Sequence, residues 1–205
     1  MLCLLTLLTV AGHAPERTVV IGDSQAEGLK NARLLPRIGV DVYAFGGQPS
    51  DFFVSWLDAH PGVVLHKDLV VFQLGGNDIS RGETAEHIQK NMLALARLSR
   101  MFNPRAEVVF GAIPVRGQWF DAQKRKHKPQ IAEREATLES VNTWIAVGDH
   151  REFASFRLNA IIADPNSPRL QRMEFKRRGA DVHLNSRGYA ALSKALIGTL
   201  IADSK

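Results

Sequence analysis

The segment that most limits how this chain can fold is Asp68-Leu-Val-Val-Phe-Gln-Leu74, which runs straight into Gly75-Gly76-Asn77-Asp78. Its apolar stretch is continuous and rich in β-branched and aromatic residues. Such a run reads as a strand buried on both faces. The double glycine then ends it sharply. Three other segments repeat the pattern. Thr18 to Ile21 is a β-branched run ending in Gly22-Asp23-Ser24, Val40 to Phe45 alternates towards a strand that breaks at Gly46-Gly47, and Glu107 to Ile113 stops at Pro114. Ala160 to Ala163 reads as a fifth strand.

Helical spacing fills the intervals. Ala26, Leu29, Ala32 and Leu35 predict a helix from Ser24 to near Pro36. Ser50 or Asp51 can cap a short helix carrying Phe53, Trp56 and Leu57, closed by Pro61-Gly62. Ile88, Met92, Leu95 and Leu98 form one stripe of a helix over 84–101, and Ile131, Leu138, Val141 and Ile145 one of a helix over 130–147. Asn185 or Ser186 can cap a last helix with Tyr189, Leu192, Leu196 and Leu200 on its apolar face. Strands alternating with helices imply a parallel sheet covered on both faces. The working edge of such a sheet lies at the carboxyl ends of its strands. Ser24, Gly46-Gly47 and Asn77 all fall just after strand ends.

At 205 residues the chain reads as a single domain over 15–205, preceded by an apolar segment over 1–14, with no repeat or linker to split it. A net charge of +5 points weakly to anionic surroundings such as an acidic polysaccharide, a cell wall or a membrane surface. No nucleic-acid motif accompanies it, so no nucleic-acid partner is expected. The lone Cys3 excludes an intrachain disulfide and a cysteine metal site, and the histidines show no metal-ligand spacing, so no metal is expected. Leu2 to Val10 is too short to make a stable membrane span. Gly12-His13-Ala14 places small residues where a signal peptidase reads, so the start resembles a secretory signal, although no Lys or Arg follows Met1. The alternative is an extra element packed on the domain. With a signal the protein is secreted, periplasmic or envelope-associated; without one it is cytoplasmic. The basic stretch over 116–129, with Lys124-Arg125-Lys126-His127-Lys128, reads as an exposed loop or lid, and 169–178 is a second basic stretch.

A Ser at a strand-to-helix turn either caps the helix or presents its hydroxyl as a nucleophile. Acyl transfer also needs a base, a group that orients the base, and donors aimed at the developing oxyanion. His183, in a loop before the last helix, is the candidate base, and Asp181 can orient it. The candidate donors are the backbone N–H groups of Ser24 and Gly47 and the side-chain amide of Asn77. Asp23, Gly46, Gly76 and Asp78 flank these positions and are expected to line the substrate. Gly75-Gly76 is not followed by Lys-Ser/Thr, which argues against a phosphate cradle.

Taken in order, Gly22-Asp23-Ser24, a Gly after the second strand, Gly75-Gly76-Asn77-Asp78 after the third, and a late Asp/His pair before the last helix resemble the GDSL/SGNH hydrolases. The resemblance covers Thr18 to Ala202. It implies a flavodoxin-like three-layer α/β/α sandwich with a mainly parallel five-stranded sheet, and esterase, lipase or deacetylase activity without a cofactor. By motif position Ser24 matches the nucleophile, Asn77 the oxyanion Asn and His183 the base. Gly47 matches the oxyanion Gly, because Gln48-Pro49-Ser50 follows it as similar residues do in the family; Gly46 is the alternate. One departure stands out. The family places its Asp three residues before the His, where this chain has Ala180; Asp181 lies two before, and is expected to reach His183 through a rearranged loop. The reading that follows is a serine esterase acting on O-acetyl or other acyl esters of a carbohydrate or peptidoglycan, or on a small ester. A lysophospholipase, thioesterase or arylesterase is the second reading, with Phe52, Phe53, Trp119 and Phe120 as candidate walls of an acyl channel. A catalytically weak carbohydrate-binding module is the third. The sequence leaves the oligomeric state open.

Overall fold

A computed structural model describes residues 15–115, 130–147, 152–156, 159–164, 166–171, 175–177 and 180–201. The apolar segment over 1–14 and the basic stretch over 116–129, with Trp119 and Phe120, lie outside the described residues. Five strands form the central sheet: β1 (Thr18–Gly22), β2 (Asp41–Ala44), β3 (Leu69–Gln73), β4 (Glu107–Gly111) and β5 (Ala154–Phe156). Their order is β2-β1-β3-β4-β5 and every neighbouring pair is parallel. The reversal of strand order falls between β1 and β3, which is where ligands sit in open sheets of this kind.

Side-chain alternation along the strands divides the core in two. Val19, Ile21, Val70, Phe72, Val108 and Phe110 face α3 (Ser50–Ala59), α5 (Ala85–Phe102) and α6 (Gln130–Val147). Val20, Leu69, Val71 and Val109 face α1 (Ser24–Asn31), α2 (Leu34–Arg37) and α8 (Ser186–Ile201). Successive residues of a strand point to opposite faces, so helices on both sides demand strands that are apolar throughout. β1 and β3 are buried at every position. The result is the expected three-layer α/β/α sandwich. Among the described residues no helix is long and apolar enough to cross a membrane.

Three sequence expectations change. The first helix breaks: Arg33 adopts φ 60° in the left-handed region, which ends α1 and starts the short α2, with Pro36 inside its first turn. A proline is tolerated there because the first helical N–H groups have no partner to lose. The fifth strand is Ala154–Phe156, while Asn159–Ile162 is a helical turn, α7, that leads into β6 (Ala163–Asp164). Three half-buried residues at a sheet edge carry too little pattern to read. His183 lies in a strand. β8 (Lys176–Arg177) and β9 (Ala180–Leu184) form an antiparallel pair separate from the main sheet, and β6 pairs in the same way with β7 (Ser167–Gln171).

Candidate active site

β1 ends at Gly22, where a Cβ would stand 2.0 Å from the Gln73 carbonyl oxygen, so the chain can cross the end of β3 only without a side chain. The crossing is sealed by the Asp23 N–H, which donates to that same oxygen at 3.0 Å. Asp23, not Ser24, then caps α1: its Oδ1 accepts the Gln25 N–H at 2.9 Å from extended backbone. The capping reading of Ser24 therefore gives way. Ser24 is the first residue of α1 and its hydroxyl is left for other work.

That hydroxyl meets His183. Nε2 of His183 lies 2.8 Å from Ser24 Oγ, across 159 positions of sequence. β9 delivers the imidazole, and Asn185 anchors the strand's end by accepting the Gly188 N–H at 3.0 Å while its own N–H donates to the Phe175 carbonyl at 2.8 Å. Asn185 is thus the cap of α8, in preference to Ser186. Asp181 stands two residues before His183 in β9, and its side chain lies outside what the structure describes.

The opposite side of Ser24 is built from the loop after β2 and from α4 (Gly76–Arg81). Gly47 takes φ +76°, a conformation suited to glycine, and a Cβ there would touch nothing within 4 Å. Three side chains of α4 fasten the loop. Asn77 Nδ2 donates to the Gln48 carbonyl at 3.0 Å and reaches Asp23 Oδ2 at 3.4 Å. Arg81 donates to the Gly47 carbonyl at 3.0 Å. Asp78 accepts the Ser50 N–H at 2.9 and 3.0 Å and the Ser50 hydroxyl at 2.5 Å. Asn91 donates to Ser50 Oγ in turn at 2.8 Å, and its amide nitrogen lies 3.1 Å from His87 Nε2. Burial pushes the Asp78 carboxyl above its ordinary range, against the pull of the hydrogen bonds from Ser50.

Ser24, His183, Gly47 and Asn77 are therefore brought to one rim. The substrate-lining expectations for Asp23, Gly76 and Asp78 are not met: all three are buried, Asp78 with no exposed surface, and the two carboxylates hold protein N–H groups. Gly46 is exposed beside the site, with Glu27 Oε2 2.9 Å from where its Cβ would be. Phe53 is wholly buried in the core, and Phe52 packs edge-on against Phe45 with ring centres 5.3 Å apart. Ser50 and Arg81 were not legible as parts of the site, since the sequence offers a cap and a surface cation in their place. Among the described residues no group of three or more His, Cys, Asp or Glu side chains could hold a metal ion.

The sequence model of the GDSL-like lipase/acylhydrolase family matches residues 20–191. The chain belongs to that family. It is an ester-hydrolysing enzyme. Solved structures share the fold at low identity. A GDSL-like lipase from Bacteroides thetaiotaomicron is 14% identical with a TM-score of 0.70, covering 91% of this chain and 88% of its own. A lipase from a goat rumen metagenome is 15% identical with a TM-score of 0.64, covering 89% and 96%. An acetyl esterase crystallised with an acetate ion is 18% identical with a TM-score of 0.56, covering 92% and 100%. No curated protein matches the chain.

Proposed function

We propose that this acylhydrolase is a serine esterase that removes acyl groups, above all O-acetyl groups, from a carbohydrate or peptidoglycan. The 2.8 Å contact between Ser24 Oγ and His183 Nε2 carries the reading, because it pairs a nucleophile with a base in reach of its proton. As Ser24 Oγ attacks the ester carbonyl, its proton passes to His183 Nε2 and a carbon–oxygen bond forms. The resulting oxyanion is met by the N–H groups of Ser24 and Gly47 and by Asn77 Nδ2, whose 3.4 Å contact to Asp23 is long enough to be exchanged for it. Collapse breaks the bond to the alcohol, which leaves with the proton from His183. Water then repeats the sequence on the acyl-enzyme and frees the acid. Asp181, two positions before His183 in the sequence, is assigned the orienting role.

The acetyl preference draws support from an acetyl esterase among the structures that share the fold. The second reading, a lysophospholipase, thioesterase or arylesterase with a longer acyl group, draws on half-buried Phe45, the residue before Gly46, and on half-buried Phe52, which packs against Phe45. The deciding assay is hydrolysis of 4-nitrophenyl acetate, butyrate and decanoate by the wild type and Ser24→Ala. Acetate hydrolysis that the substitution lowers by about a thousandfold or more supports the ester reading. A rate that rises with chain length selects the second reading, and a wild type no faster than Ser24→Ala removes both.

A further inference from the structure

One face of α1 has the wrong chemistry for a helix that only covers a sheet. Ser24, Glu27, Gly28 and Asn31 recur at helical spacing on that face, and the face does not close onto the core. It opens into a cleft of about 550 Å³, within the range of small-ligand sites. Ser24 and His183 stand in its wall, and Ser186 and Tyr189 of α8 close the far side. The Tyr189 ring lies over Gly28, where a Cβ would come within 2.0 Å of it, and its hydroxyl donates to Gln25 Oε1 at 3.1 Å, so Tyr189 is a fixed wall. Glu27 and Asn31 are different. Both are exposed, and among the described residues neither side chain is spent on a hydrogen bond. Gly46 keeps the room that the Glu27 carboxylate occupies beside Ser24.

The position of the cleft decides which half of the ester it receives. Of the candidate oxyanion donors beyond Ser24 itself, neither Gly47 nor Asn77 is in its lining, whereas His183 is. The imidazole that takes the Ser24 proton gives it to the departing alcohol, so the alcohol must lie on the histidine side. We infer that Glu27 and Asn31 form the alcohol subsite of the enzyme, selecting a neutral, hydroxyl-rich leaving group such as a sugar ring and rejecting one that carries a carboxylate. This rests on the serine esterase reading above. Ionised, Glu27 only accepts hydrogen bonds, which matches sugar hydroxyls; Asn31 both donates and accepts. The same negative charge repels an anionic ring.

The test uses the purified full chain and three substrates: an O-acetylated methyl glucoside, the corresponding methyl glucuronide with its free carboxylate, and 4-nitrophenyl acetate as reference. The wild type is expected to favour the neutral sugar over the uronate. Glu27→Gln should reduce that preference about tenfold, the scale of one hydrogen bond to a charged group. Asn31→Ala should lower kcat/KM for the neutral sugar relative to 4-nitrophenyl acetate by about fivefold, chiefly through KM. Both positions are exposed, so neither change threatens folding. If both substitutions leave these ratios where they were, or if the wild type cleaves 4-nitrophenyl acetate but neither sugar ester, the alcohol subsite is refuted while the esterase reading stands. Failure on all three substrates removes the esterase reading and the subsite with it.

Discussion

Asp78, with no exposed surface, grips Ser50 through both the backbone N–H and the hydroxyl, and so fixes the end of the loop that carries Gly47. A buried carboxylate is tolerated only when its lone pairs are met. Ser50→Ala should therefore cost about 1.5–3 kcal/mol, the value of a hydrogen bond to a charged group, read as a shift in the urea midpoint. An unchanged midpoint would show that the carboxylate finds another partner.

The same carboxyl makes stability pH-dependent in an uncommon direction. Its folded pKa is raised, so between the ordinary value of 3.8 and the raised one the folded state binds more protons than the unfolded. Stability from this group is therefore present at low pH and lost as pH rises through that window. Asp78→Asn abolishes the titration. Measured by urea unfolding at pH 7 and again in mild acid, the wild type should gain relative to Asp78→Asn as the pH falls. A gain in the other direction would contradict the raised pKa.

Asn77→Ala removes one proposed oxyanion donor and the tie to Gln48 together. The expected loss is about 100- to 1,000-fold in kcat on 4-nitrophenyl acetate, with KM little changed, because the donor acts on charge that exists only in the transition state. A loss confined to KM would place Asn77 in ground-state binding.

Gly47→Ala separates backbone geometry from packing. No atom lies within 4 Å of the added Cβ, so the strain comes from φ +76° alone and should cost about 1 kcal/mol in stability. If Gly47 is an oxyanion donor, as proposed, activity should fall much further, since its N–H turns with the backbone. Equal small losses in both would remove Gly47 from the donor set.

Gly28→Ala tests how α1 meets α8. The added methyl would collide with the Tyr189 ring. Overpacking of this kind costs about 1–3 kcal/mol, and each kcal/mol lowers Tm by about 2–4 °C in a domain of this size. A Tm equal to that of the wild type would mean that Tyr189 swings aside, at the expense of its bond to Gln25.

Much of the site was legible because sheet geometry does the assembling. A β-branched run, a glycine and a polar residue place Ser24, Gly47 and Asn77 on one rim whatever else the chain contains. Residues whose roles depend on partners far away in sequence were harder to read. Asp23 and Asp78 look like rim carboxylates until the structure shows Gln25 and Ser50 already on them. Glu27 and Asn31 look like the solvent face of a helix, and only the place of α8 turns that face into a cleft wall. β5 was misplaced because a short, half-buried edge strand carries almost no periodicity, and the αL turn at Arg33 has no glycine to announce it.

The separation of 159 positions between Ser24 and His183 also orders events during synthesis. A chain emerging from the ribosome lays down β1, β2, β3 and α4, and with them the proposed nucleophile and oxyanion donors, long before the strand that bears the imidazole exists. Until then the serine has no base. The proposed chemistry therefore waits for β9, and a chain halted before it would hold Ser24 on a well-formed sheet with no imidazole beside it.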